Sequence, residues 1–289
     1  MFLMYNQVKT WAITLPLVFI AAPSLAAGGK LQETAGVTQF EGSGGGGLVP
    51  WATLSGYDTR DEWSSTVFMT RLSSADFRLQ AYGTSIGWHD FLEFSVAEQI
   101  FDLKGVPFGE RELKMQTLGA KIKLLGDFIY TPYPQLSLGI QHKTLKDELI
   151  ASALGADDSS QGTDLYVAVG KAHLGIAAGY NAFWNLTLRA TKANQYGFLG
   201  FGGGENDDYE LMLEGSLGVL LSRSLAMGIE YRQKPENLSG VTEDDAYDIF
   251  IAYIPNRSFN LTAAWVELGS IAGAEDQSGP YVSVSGYLW

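Results

Sequence analysis

The chain has three histidines, His89, His142 and His173, and no cysteine. Thiolate nucleophiles, thiolate metal sites and disulfides are therefore excluded. Hydrolytic chemistry would need a nucleophile, a base and an orienting group at one level of the fold. His89 falls in a short turn, whereas His142 and His173 flank the longest connection on neighbouring segments, where a shared site is conceivable. No pair of segments supplies the full set, so the sequence is read as a non-enzyme with no catalytic residues, no cofactor and no metal centre. Gly42, Gly44 and Gly47 match the GxGxxG spacing that cradles a pyrophosphate. Pro50-Trp51 and a strand pattern follow where that site needs a helix N-terminus. A flexible hairpin or a close backbone approach is the expected role.

The carboxylates are more informative. Asp and Glu outnumber Lys and Arg by 32 to 19, a net charge of -13. The basic footprint of a nucleic-acid binder is missing, and no nucleic-acid partner is expected. The stretches Thr144 to Thr163, Gly202 to Asp207, Lys234 to Asp245 and Gly269 to Gly279 gather much of the excess. Asp157, Asp158, Glu243, Asp244 and Asp245 are the candidates for a rim that binds hard divalent cations. A solvated, repulsive surface is the alternative, since EF-hand spacing is absent.

Period-two alternation is the element that positions these charges. In Asp208 to Leu220 one face reads Tyr209, Leu211, Leu213, Gly215, Leu217, Val219, and the other Glu210, Met212, Glu214, Ser216, Gly218. Leu225 to Arg232, Tyr247 to Tyr253 and Phe259 to Trp265 alternate in the same way. Tyr, Phe and Trp close the apolar faces of the last two at both ends. Aromatic girdles suit a membrane barrel, because Tyr and Trp sit well between hydrocarbon and headgroups. Connections also alternate between long and short along the chain, as in barrels with short turns on one side and long loops on the other.

These patterns predict an all-β, antiparallel transmembrane β-barrel of about 14 strands. Counting back from the C-terminus gives 13 from Leu48 to Trp289, and Leu31 to Glu41 supplies a fourteenth to make the number even. Twelve is the alternative, with the hairpin at 31–58 folded into the lumen as a plug instead of joining the wall. Arg78, Glu93, Lys114, Arg189, Glu210, Glu214, Glu230, Arg232 and Asp248 are then the lumen-lining candidates, joined by Lys121 and Lys123. Arg189 and Glu214 fall on adjacent predicted strands. Opposite charges across a lumen can flank a hydrated pore or close it with ion pairs.

Lys9 precedes an apolar run, Thr10 to Ala22, and then Pro23 and Ser24-Leu25-Ala26. This is the pattern of a signal peptide cleaved after residue 26, with an uncleaved anchor over Thr10 to Gly29 as the alternative. Residues 27–289 are read as a single barrel domain exported to the bacterial outer membrane. Tyr281, Tyr287 and Trp289 resemble the C-terminal assembly signal of outer-membrane proteins, although Ser283 and Ser285 share their face. GVTQFEGSGGGGLVPWATLSGY at Gly36 to Tyr57, RLQAYGTSIGWHDFLEFSVAEQIFDL at Arg78 to Leu103 and LRATKANQYGFLGFGG at Leu188 to Gly203 resemble an uncharacterised Gram-negative family, a domain of unknown function. The resemblance implies an outer-membrane location and carries over no catalytic or binding residues.

The function expected from these readings is porin-like passive transport of small solutes. The alternative is a non-conducting structural or surface-interaction barrel that acts through its acidic external loops; a soluble secreted β-protein is a third reading. The expected partners are outer-membrane lipid, the barrel-insertion machinery and small solutes.

Overall fold

The computed structural model describes Lys30, Gln32 and residues 34–103 and 111–288. The expected signal peptide and Trp289 lie outside the described residues. Two short strands come first, β1 (Val37–Thr38) and β2 (Gly44–Gly45), paired with each other and apart from the barrel, with Gly45 bridging also to Pro50. Twelve longer ones follow: β3 (Trp63–Ser73), β4 (Arg78–Trp88), β5 (Leu92–Asp102), β6 (Glu112–Leu125), β7 (Gln135–Leu145) and β8 (Gln161–Ala177), then β9 (Tyr180–Thr191), β10 (Glu210–Ser222), β11 (Leu225–Arg232), β12 (Ala246–Asn256), β13 (Phe259–Glu267) and β14 (Ser278–Leu288). Each pairs antiparallel with its sequence neighbours, and β14 pairs with β3, in register Val284 to Met69, to close the barrel.

The alternation read from the sequence decides which face looks out. On β12, Tyr247, Ile249, Ile251 and Tyr253 are exposed, while Ala246, Asp248, Phe250 and Ala252 are buried. Leu211, Leu213 and Leu217 of β10 are exposed beside Leu186 and Leu188 of β9. An outer band of Leu, Ile and Val with Trp63, Tyr209, Tyr247, Tyr253 and Trp265 at strand ends is the surface that hydrocarbon and its two interfaces cover. No helix among the described residues is long and apolar enough to cross a membrane; strands do the crossing.

The barrel has twelve strands, so the count of 14 gives way to its alternative of 12. Neither the described residues of Leu31 to Glu41 nor those of Leu48 to Asp58 enter the wall. Instead residues 35–58 are buried without interruption, inside the barrel. The physical reason is composition: this stretch carries Gly36, Gly42, Gly44 to Gly47 and Gly56, which weaken a strand, and it lacks an alternating apolar face to offer lipid.

The loops obey the expected asymmetry. Residues 89–91, 178–179, 223–224 and 257–258 make tight connections at one end, and 126–134 makes a longer one. At the other end β5 gives way to β6, and there lie 146–160 with its short helix α1 (Leu149–Ala153), 192–209, 233–245 and 268–277. The connection at 74–77 is short although it lies on the long-loop side.

Candidate functional site: the occupied lumen

Two segments fill the barrel, one from each end. From the turn side the N-terminal segment climbs past Lys30, which pairs with Asp90 at 2.9 Å, turns over through β1 and β2, and descends to Asp58. From the loop side residues 193–202 fold inward and are all buried. The two meet at Phe40 and Tyr196, edge to face at 5.4 Å between ring centroids. Two of the stretches that carry the family resemblance, Gly36 to Tyr57 and Leu188 to Gly203, overlap these segments.

The wall holds the N-terminal segment with polar side chains. Glu93 of β5 accepts from Gly44 N at 3.1 Å and Ser55 N at 2.6 Å. Lys121 of β6 donates to the carbonyls of Gly44 at 2.7 Å and Thr53 at 2.8 Å, and pairs with Glu93 at 3.3 Å. Across the lumen Glu230 of β11 accepts from Leu48 N at 2.8 Å and Trp51 Nε1 at 3.2 Å. Asn185 of β9 accepts from Ala52 N at 2.8 Å. The close approach of backbone to carboxylate explains the glycines: a Cβ on Gly46 would stand 1.8 Å from Glu230 Oε1. This is the close backbone approach expected of the GxGxxG stretch.

Nearer the loop side, Glu41 is the centre of a buried charge cluster. Its Oε1 lies 2.6 Å from Lys143 Nζ and its Oε2 lies 2.8 Å from Arg232 Nη1. Lys143 also reaches Asp164 at 2.8 Å, and Arg189 reaches Asp164 at 3.1 Å. Glu214 pairs with Arg189 and, at 3.3 Å, with Arg232. Three carboxylates balance three cations, each satisfied by more than one partner, as burial of charge demands. The guanidinium of Arg232 also stacks on the Tyr196 ring at 4.5 Å.

The inward loop is strained and pinned. Gln195 and Tyr196 adopt φ of 43° and 63°, a left-handed conformation that non-glycine residues keep only when their surroundings impose it. Glu243 accepts from Gln195 N at 2.7 Å, Lys143 donates to Tyr196 O at 3.0 Å, and Lys234 donates to Gln195 Oε1 at 3.1 Å and Leu268 O at 2.8 Å. Phe198 stacks on Phe101 at 4.9 Å. Burial pushes the Glu243 carboxyl up to about 7 and the Lys234 ammonium down to about 8.

The sequence candidates divide clearly. Glu93, Arg189, Glu214, Glu230, Arg232 and Asp248 are buried on the inner face. Arg189 and Glu214 form the pair that adjacent strands made conceivable. Glu210 lies on the inward face at the loop-side rim, where Asn206 donates to it at 2.6 Å. Arg78 and Lys114 do not line the lumen. Lys114 sits between the buried Leu113 and Met115 and is exposed, 3.5 Å from Glu112; Arg78 shares the outer face of Gln80 and Tyr82. Both stand at loop-side strand ends, where a long cationic side chain reaches past the hydrocarbon.

The rim acids do separate work. Asp157 is exposed, and Asp158 accepts from Ser160 N and Gln161 N. Glu243 is buried against the inward loop, Asp244 accepts from Ser270 N, and Asp245 accepts from Lys234 N and the Tyr231 hydroxyl. Among the described residues no group of three or more His, Asp or Glu is placed to hold a metal ion. His142 bonds Thr163 Oγ1, whereas His173 accepts from Trp184 Nε1. Ten residues of β8 separate Thr163 from His173, roughly 30 Å along a strand, so the two histidines share no site. His89 occupies its turn, packed against Trp88.

Tyr281 and Tyr287 face the lumen, with Val282 exposed on the opposite, outer face of the strand. Their face also holds Ser283, which bonds Thr70 at 2.8 Å, and Ser285, which bonds Thr38 at 3.1 Å. The serines that looked out of place are lumen residues. Glu41, Lys143 and Asp164 are the members of the lumen charge cluster that sequence reasoning missed. Lys143 was readable, since Gln135, Ser137, Gln141 and Lys143 alternate against Leu136, Leu138 and Ile140.

A family profile described as a protein of unknown function (DUF3034) matches residues 34–285. No curated protein matches the chain. Among solved structures it is similar to the KdgM porin, at 9% identity and a TM-score of 0.47, covering 76% of this chain and 98% of that one. It is similar to the Acinetobacter baumannii outer membrane protein Omp33, at 8% identity and 0.47, covering 80% and 100%. An outer membrane channel from Pseudomonas putida F1 gives 12% and 0.48, covering 78% and 95%.

Proposed function

The chain belongs to the DUF3034 family, and we propose that it is a porin-like channel of the bacterial outer membrane that admits small solutes and rests with its pore shut. The observation that carries this reading is the chemistry of the wall beneath the N-terminal segment. Thr66, Ser85, Gln99, Thr117, Gln141 and Asn185 are all buried and all point inward. A barrel that served only as a solid rod would be stabilised by apolar filling, since buried polar groups gain little and cost much when unpaired. A wall that sets these hydroxyls, amides and charges among apolar residues such as Phe101, Phe183 and Phe250 is one that water can enter once the segment withdraws.

Withdrawal can be tested without removing any residue. Ser55 Oγ of the segment lies 2.5 Å from Ser85 Oγ of β4, and the chain has no cysteine of its own. Ser55→Cys with Ser85→Cys should lock the segment when oxidised and free it when reduced. In planar bilayers the oxidised protein is expected to be silent and the reduced protein to open intermittently from its shut resting state. Silence under both conditions, with an inserted barrel, overturns the channel reading in favour of a non-conducting barrel that works through its loops.

A further inference from the structure

We infer that Glu41 occupies a carboxylate-binding site of the channel, and that the solutes admitted include small carboxylates that displace it. The inference rests on the channel reading for its biological meaning, though its chemistry is read from the site alone. In the buried cluster, Asp164 and Glu214 belong to the wall, as do Lys143, Arg189 and Arg232; Glu41 alone belongs to the segment that fills the lumen. When that segment moves, the wall keeps three cations against two carboxylates. The excess is local, and it takes the form of a particular set of donors.

Those donors are already shaped for a carboxylate. Arg232 presents Nη1 and Nη2 to the two oxygens of Glu41, at 2.8 Å and 3.3 Å, the forked geometry by which a guanidinium grips a planar anion. Lys143 adds a point charge at 2.6 Å from the oxygen that Nη2 contacts. Asp164 stays engaged by Lys143, Arg189 and Thr191, and Glu214 by both arginines, so neither wall acid is free to replace Glu41. Tyr196 backs the guanidinium and helps to fix its plane. Glu41 thus holds the place of an anionic solute, and the segment acts as a tethered competitor.

The test uses the full chain with Glu41→Gln, refolded in detergent, and sodium propionate as the probe. The variant leaves the site one anion short. It is expected to melt below the wild type and to regain stability saturably in propionate, but not in sodium chloride at equal ionic strength. Adding Arg232→Gln should weaken that effect roughly tenfold or more, the scale of one charge-assisted contact. Equal responses to propionate and chloride, or tighter saturation by phosphate, overturn the inference. Should Glu41→Gln fail to fold, hydrogen exchange of residues 36–48 in the wild type decides: propionate must raise it above the chloride control, and no rise overturns the site. Because binding is read without current, a protein that binds propionate yet stays silent in bilayers retires the channel and keeps the site. Conduction with no propionate-specific effect does the reverse.

Discussion

Arg232 and Glu41 meet with both pairs of polar atoms matched, Nη1 to Oε2 at 2.8 Å and Nη2 to Oε1 at 3.3 Å, although 191 residues separate them in the chain. One residue is wall and the other is filling. Their pairing joins filling to wall at the loop side, as Glu93, Lys121, Glu230 and Asn185 do deeper in the lumen.

The hairpin of the N-terminal segment has no room for a side chain at Gly45. A Cβ there would lie 2.4 Å from Val49 O and 2.7 Å from Trp51 N, both backbone atoms that cannot swing aside. Gly45→Ala should cost roughly 1–3 kcal/mol of segment packing and raise the fraction of time the channel conducts, while the heat-modifiable gel shift of the closed barrel stays. Unchanged bilayer recordings would show that the segment does not gate.

Leu213 and Glu214 are neighbours with opposite fates. Leu213 is exposed on the outer band and Glu214 is wholly buried. Leu213→Arg should cost roughly 2–4 kcal/mol through contact with hydrocarbon. Glu214→Gln should cost about 3–5 kcal/mol by leaving Arg189 and Arg232 short of a counter-charge. An open, hydrated lumen would tolerate the second change, so denaturant melts of the two variants tell filled from empty. A bilayer-soluble thiol reagent should label Leu213→Cys and spare Glu214→Cys.

The inward loop is predicted to loosen as pH rises toward neutrality. Burial raises the Glu243 carboxyl to about 7, whereas with the loop displaced it titrates in the ordinary range near 4.3. The closed loop therefore binds this proton more tightly, and its stability falls as pH climbs from about 4.5 through 7, by up to about tenfold per pH unit. Lys234, lowered to about 8 by burial, acts oppositely above that pH: the closed loop gains as the ammonium deprotonates. Closure should be weakest between about pH 7 and 8, read as hydrogen-exchange protection factors over residues 194–201. Glu243→Gln should flatten the acid side of the profile; a flat profile in the wild type would remove the assignment.

The wall was legible in the sequence because its information is local. Alternation in β10 to β13 names the outward residues one by one, and loop lengths give the two ends. What the lumen contains was legible only as an alternative, because nothing local distinguishes a hairpin that completes a wall from one that fills it. The glycines of 42–47 signal close approach without saying to what. Asp164 lies just past the boundary expected for the long connection, so its strand partner was hidden. Arg78 and Lys114 fail for another reason: at a strand end the interface, and not the lumen, solvates an outward charge.

The N-terminal segment also bears on how the cylinder is sewn. Its Thr38 bonds Ser285 and its Gly36 carbonyl accepts from the Tyr287 hydroxyl, both on β14, while Ser55 donates to Thr66 on β3. Those are the first and last strands of the wall, which join through contacts distant in sequence and therefore slow to find. The segment stitches across that seam from the inside, so the same few side chains that stop the bore also splice its two edges. The opening proposed above would therefore also release contacts that hold the two edges of the wall together.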